Sequence, residues 1–159
     1  MTLMDFYIIT IVSIGLMLCT YTDIKKQKII LAVPICMALL TAGYWLITKQ
    51  NEVWLFAVVG AVTAGITYFI PALLGKGGGG DVIMMAAIGF CIGIYQIVYL
   101  IIFTSVFYLC FLLIRLSKEI VENNDGAAKD ILKKRYPYIP FVFAGWILLL
   151  GYMYLIKGV

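Results

Sequence analysis

The sequence predicts an all-α membrane protein: a bundle of six transmembrane helices with the N-terminus outside and its functional loops at the cytoplasmic edge. Three observations predict it. The 159 residues are 64% hydrophobic and 13% charged, with a mean hydropathy of +1.07, far more apolar than an ordinary soluble domain. Apolar runs long enough to cross a bilayer recur along the chain. Basic residues collect in alternate connecting segments, as they do when cytoplasmic loops carry the positive charge. The length leaves room for one transmembrane domain, residues 1–159, and none for an additional globular module.

Taken in order, the apolar runs 3–22, 29–48, 53–74 and 139–156 each read as one span. The first does not read as a signal peptide, because its head carries Asp5 and no basic residue. Val82–Ile114 is a single run of 33 residues. As one helix it would measure about 50 Å against a hydrocarbon core of about 30 Å, too long for tilt to absorb. It is therefore divided into spans 82–94 and 96–114, with the turn marked by Gly89, Gly93 and Gln96. Charge tests the division. With six spans, Lys25, Lys26, Lys28, Lys76, Arg115, Lys118, Lys129, Lys133, Lys134 and Arg135 lie inside, and only Lys49 and Lys157 lie outside. With one crossing fewer, the loop from Arg115 to Arg135 would face the opposite side from Lys25–Lys28, and the bias would largely vanish.

Composition also excludes chemistry. Histidine is absent, which removes the imidazole-dependent zinc, Ser-His and Cys-His mechanisms. Cys19, Cys36, Cys91 and Cys110 lack CxxC spacing and read as small buried hydrophobes. Nothing in the chain calls for a metal, a cofactor or nucleic acid. Aromatic residues such as Trp45, Trp54 and Trp146 lie near span ends and are expected to anchor the bundle at the interfaces. Ala57, Gly60, Ala61, Ala64 and Gly65 form a close-packing stripe on the third span.

Two acids stand apart. Asp5 and Glu52 fall in outer segments, while Glu119, Glu122, Asp125 and Asp130 are mixed with lysines in a polar loop that reads as solvated. Asp23 ends the first span and Asp81 begins the fourth, so the topology brings both to one cytoplasmic edge. Two carboxylates that meet near a low-dielectric boundary share a proton, leaving one acid and one base near neutral pH. Such a pair can activate water and protonate the leaving amide nitrogen. Thr22 and Lys25 flank Asp23 and can tune the pair. Gly77, Gly78, Gly79 and Gly80 precede Asp81; free of side chains and open to unusual backbone angles, they can let an extended substrate backbone approach it. The alternative local reading is a simple turn with Asp81 capping the next helix.

The segment GGGDVIMMAAIGFCIG, from Gly78 to Gly93, resembles the second catalytic motif of the type IV prepilin peptidases, membrane aspartic proteases of the GxGD kind. TYTDIKKQKI resembles their first motif, an Asp followed by a basic loop and an Ile six positions on, here Ile29. YPYIPFVFAG resembles the Ile-Pro-Phe start of their last span, at Ile139, Pro140 and Phe141. The sequence departs from the family pattern at Ile30 and Leu31, where Pro-Asn is usual, and at Ile83, where a Lys is common; the last motif lacks its second proline. None of these departures touches the two acids.

The resemblance implies an aspartic endopeptidase of a bacterial or archaeal cytoplasmic membrane, embedded in lipid, with Asp23 and Asp81 as its catalytic pair. Its substrates would be prepilin or pseudopilin precursors, cut where a short basic leader meets an apolar helix at the cytoplasmic face. Larger members carry an N-terminal segment with paired CxxC motifs associated with methylation. The sequence has neither, so cleavage is expected and methylation is not. Three other readings remain: a presenilin-like intramembrane protease, a non-catalytic pilin-assembly partner, and an ion-translocating protein using an intramembrane carboxylate.

Overall fold

The computed structural model describes residues 3–26, 29–48, 52–73, 78–121 and 138–157. Among these residues the chain forms five helices: α1 (Leu3–Lys26), α2 (Ala32–Thr48), α3 (Val53–Leu73), α4 (Gly79–Val121) and α5 (Ile139–Lys157). Three stretches are long and apolar enough to cross a membrane, Phe6–Lys25, Val53–Ile70 and Gly79–Ser117, while α2 and α5 are shorter apolar helices. The outward faces are greasy, with Leu39, Leu55, Leu109 and Leu155 exposed. That is the surface of a membrane-embedded helical protein, whose solvent is hydrocarbon. Cys36 and Cys110 lie on such faces, so only Cys19 and Cys91 are buried as expected. Apolar side chains have no need of a protein core when lipid surrounds them.

Helix starts follow local chemistry. The second helix begins at Ala32 rather than at residue 29, and Pro34 occupies its first turn, where the missing N–H is one that no intrahelical carbonyl would accept. Pro140 occupies the equivalent first turn of α5, and Tyr138 caps that helix, its carbonyl taking the N–H groups of Phe141 and Val142 at 3.0 and 3.4 Å. The first helix runs on through Asp23 to Lys26, past the expected end at residue 22.

The long run 82–114 lies within α4, which is kinked into two helical arms at one non-helical residue, Gly93, at φ 77° and ψ 175°. A positive φ of this kind is open to glycine and costly for other residues. The turn expected from Gly89, Gly93 and Gln96 thus narrows to Gly93. Gly89 serves a different purpose, close approach: a Cβ there would fall on the carbonyl oxygen of Gly60, and one on Gly60 would fall on that of Gly89. Here the backbones of α3 and of the first arm of α4 touch, along the small-residue stripe. The arm beyond Gly93 packs instead on α5, where a Cβ on Gly145 would strike Thr104 and where Tyr99 and Phe103 meet Tyr152.

Centrally, α1 meets α2 and α5. Gly15 lets Met37 approach α1, and Trp146 Nε1 donates to Ser13 Oγ at 2.9 Å. Trp45 and Trp146 are 1% and 2% exposed, so they fill the core and do not sit at the interface as expected. Trp45 packs edge-on to Trp54 and against Phe90, which gives its ring more contact than a headgroup layer would.

Candidate active site

Each acid serves a helix start: Asp81 lies in the first turn of α4, and Asp23, in the last turn of α1, reaches the start of α5. In α4, Gly78 is the capping residue: its carbonyl takes the N–H of Asp81 at 3.0 Å, and Asp81 Oδ2 accepts the Gly78 N–H in return at 2.9 Å. The second bond is one half of a capping box, with Asp81 at the third helical position; Gly78 has no side chain to supply the other half. The capping role weighed for Asp81 is therefore present. It fixes the carboxylate at the mouth of the helix, where the macrodipole favours negative charge.

Asp23 reaches its partner across the fold. It is 6% exposed, and its Oδ2 accepts the backbone N–H of Ile139 at 3.1 Å. Ile139 is the first residue of α5, and its N–H is one of the donors that a helix start leaves without an intrahelical acceptor. The Ile-Pro-Phe motif thereby acquires a physical meaning: Ile139 offers a donor, and Pro140 behind it closes the turn without needing one. Proline is tolerated at that first position too. Ile139→Pro should therefore keep α5 while deleting the hydrogen that Asp23 Oδ2 accepts, and Ile139→Val should keep both. A hydrogen bond to a charged group contributes about 1.5–3 kcal/mol, so cleavage by Ile139→Pro should fall roughly tenfold or more in a turnover assay, with Ile139→Val near wild type.

Tyr138 stands beside Ile139 in the chain and packs among tyrosines. Its hydroxyl bonds to that of Tyr68 at 2.5 Å, and the charge of Asp81 acts on both phenols. Burial pushes the Tyr138 phenol well above its ordinary value, and Tyr68, Asp81 and Tyr108 add to the push, so it stays protonated at any physiological pH. Aromatic rings from three helices close around it: Tyr68 at 5.3 Å, Tyr108 at 5.6 Å, and Phe141 packed on Tyr108 at 5.5 Å. Sequence reasoning passed over Tyr68 and Tyr138. The signal for them was slight: one tyrosine inside an apolar span, another directly before Ile-Pro-Phe.

The other candidate residues are placed as follows. Thr22 Oγ1 donates back to the Cys19 carbonyl at 3.0 Å, and exposed Lys25 reaches Tyr21, Nζ to phenol oxygen, at 2.9 Å. Gly77 and the polar loop with Glu122, Asp125 and Asp130 lie outside the described residues. Gly79 has open space where a Cβ would stand, whereas a Cβ on Gly80 would come within 3.1 Å of Ile29. Among the described residues positive φ occurs at Gly93 and not at Gly78, Gly79 or Gly80. At Gly80, then, the lack of a side chain serves close approach of the segment between α1 and α2, not an unusual backbone angle. Gly80→Val should cost about 1–3 kcal/mol by overpacking. In an Ile29→Ala background most of that cost should disappear, a coupling readable from thermal unfolding in detergent.

A cavity of about 260 Å³ opens elsewhere, around Gly93, lined by Trp45, Phe56, Gln96 and Trp146 among others. It also touches Ile9, fourteen residues before Asp23 on α1, so about 20 Å of helix separates it from the acids. Among the described residues no three Cys, Asp or Glu side chains gather as metal ligands.

The sequence profile of the type IV leader peptidase family matches residues 10–113, which include Asp23, the glycine run and Asp81 but stop short of Ile139. No curated protein and no solved structure matches the chain. Since the matched segment is well over half of the sequence, the chain belongs to the type IV leader peptidase family.

Proposed function

We propose that this family member is a membrane aspartic endopeptidase that removes the short basic leader of prepilin or pseudopilin precursors at the cytoplasmic face of a bacterial or archaeal membrane. One observation supports the reading: carboxylates from distant parts of the sequence both act on residues at the start of α5. Asp23 holds the Ile139 N–H, and the charge of Asp81 acts on Tyr138, the residue next to it. Family membership supports the substrate class.

In this reading the chain is one transmembrane peptidase domain that crosses six times. The separate partners of the two arms of α4 support that count, as does Tyr138, which lies near both Asp81 at the start of α4 and Tyr108 beyond Gly93. The bias of basic residues favours a cytoplasmic position for the acids' end. A precursor held with its apolar helix in lipid and its basic leader in the cytosol would present the junction at that level.

The chemistry needs one charged and one protonated carboxyl. The charged one takes a proton from water as the oxygen attacks the scissile carbonyl carbon, and the other gives its proton to the carbonyl oxygen. Collapse of the tetrahedral adduct breaks the C–N bond, with the amide nitrogen taking a proton from the dyad. As coupled acids the pair titrates together, and the rate should rise and fall with pH in a bell. Of the glycine run, Gly77 and Gly78 precede α4 and Gly79 and Gly80 lie in its first turn; the substrate backbone is held against the open side of Gly79, while Gly80 is covered by Ile29. Incubating the purified protein in detergent with a precursor bearing a lysine-rich leader tests the reading. A product beginning at the leader–helix junction is expected, and an intact precursor would contradict it.

A further inference from the structure

Tyr138 stands directly before α5, where a Ser, Thr, Asp or Asn would ordinarily cap the helix with its own side chain. A phenol hydroxyl lies too far out along its ring to do so. The peptide bond from Tyr138 to Ile139 is held from two directions instead. Its carbonyl takes the N–H groups of Phe141 and Val142 at 3.0 and 3.4 Å, and its N–H is taken by Asp23 Oδ2 of α1 at 3.1 Å. The Tyr138 side chain turns to α3, where its hydroxyl and that of Tyr68 share a hydrogen bond of 2.5 Å. Tyr68 belongs in turn to the helix that braces the other acid. Backbone meets backbone between α3 and the first arm of α4 at Gly60 and Gly89, and a Cβ on Gly65 would stand 3.7 Å from that of Ala86. That arm carries Asp81 in its first turn. Tyr68 follows Gly65 by about one turn of α3. One hydrogen bond therefore joins the helix packed on the Asp81 arm to the residue whose peptide binds Asp23.

We infer that the Tyr68–Tyr138 hydrogen bond is a positioning tie of the site: it fastens the peptide that binds Asp23 to the helix packed on the Asp81 arm, and so keeps the two acids in register. The inference rests on the reading of Asp23 and Asp81 as the catalytic pair. Neither phenol is asked to touch substrate or to give up a proton. The ring contacts of Tyr138, with Tyr68 at 5.3 Å and Tyr108 at 5.6 Å, fill space but tolerate sliding more than a short hydrogen bond does. Small displacements of catalytic groups are costly in rate, which is what such a tie prevents. Because it acts through the Ile139 N–H, its loss should matter only while that N–H is present to be positioned.

Tyr68→Phe and Tyr138→Phe each keep the ring and delete the bond. Each should lower kcat for a lysine-leader precursor about 3- to 10-fold, the scale of one neutral hydrogen bond, with KM little changed. Both remove the same bond, so the double variant should be no slower than the slower single. The deciding comparison adds Ile139→Pro, which deletes the N–H that Asp23 accepts. In that background Tyr68→Phe should slow cleavage by less than about twofold. A general loss of folded protein would multiply with the effect of Ile139→Pro. Asp23→Asn and Asp81→Asn are assayed alongside. If they are inactive while the phenylalanine variants keep wild-type kcat, or lose only in KM, or show losses that multiply fully with that of Ile139→Pro, this inference is overturned and the dyad stands. If either Asn variant cleaves normally, the dyad falls and the inference falls with it.

Discussion

Asp81→Asn should leave a protein that inserts and folds like the wild type but cleaves its precursor at least about 10⁴-fold more slowly, the scale on which loss of one member of a catalytic unit is felt. The choice of Asn separates two roles that coexist at this position. Asp81 caps α4 by accepting the Gly78 N–H, and an Asn carbonyl oxygen can accept the same bond. If capping were all that Asp81 did, Asn would be nearly silent. Asp81→Ala, by contrast, removes the cap as well and should lower stability by about a further 1 kcal/mol with no further loss of activity. Asp23→Asn follows the same logic, since Asn can still accept the Ile139 N–H while being unable to take or give the reaction's proton. Activity should vanish in both Asn variants with Tm in detergent close to wild type.

Gly60→Ala should destabilise the bundle severely, whereas the same change at Gly43 should be neutral or slightly stabilising. At Gly60 the new methyl would meet the backbone of Gly89, Gly93 and Ile94, none of which is a side-chain end that can swing away. The helices α3 and α4 would have to separate. Overpacking of this kind costs about 1–3 kcal/mol where side chains can yield, and backbone contact sets the upper end of that range. Gly43 has nothing within 4 Å of its Cβ position, so Ala there gains up to about 1 kcal/mol of helix propensity unopposed. Thermal unfolding in detergent reads both. Because Gly60 packs at the Gly93 end, Gly60→Ala should lower Tm more than it lowers the activity of the protein still folded.

Much of this fold was legible because lipid imposes a simple rule: an apolar run of sufficient length is a helix. The starts of α3 and α5 agree with their runs to the residue. What the runs conceal is which side chains turn inward. Trp45 and Trp146 read as interface anchors from their place near run ends, but hydrocarbon outside and protein inside are equally apolar, so hydropathy does not distinguish them. Residue 29 belongs to an apolar run yet lies outside α2, where Ile29 packs close to Gly80.

The two acids stood out in the sequence for a different reason. A carboxylate at the end of a span is costly, and Asp23 and Asp81 were the pair that the charge pattern brought to one edge. Their partners were not legible. The donor to Asp23 is a main-chain N–H 116 residues further on, and a backbone group has no sequence signature of its own. Tyr68 and Tyr138 meet across 70 residues, and tyrosine is so common at membrane boundaries that its presence there raises no question.

The central claim is that Asp23 and Asp81 act as one unit on a leader peptide. Mass spectrometry of the N-terminus of a precursor co-expressed with wild type, Asp23→Asn or Asp81→Asn tests it most directly. The account predicts a chain starting at the leader–helix junction with the wild type alone, and an uncut leader with either variant. A trimmed N-terminus in the presence of either Asn variant would contradict it.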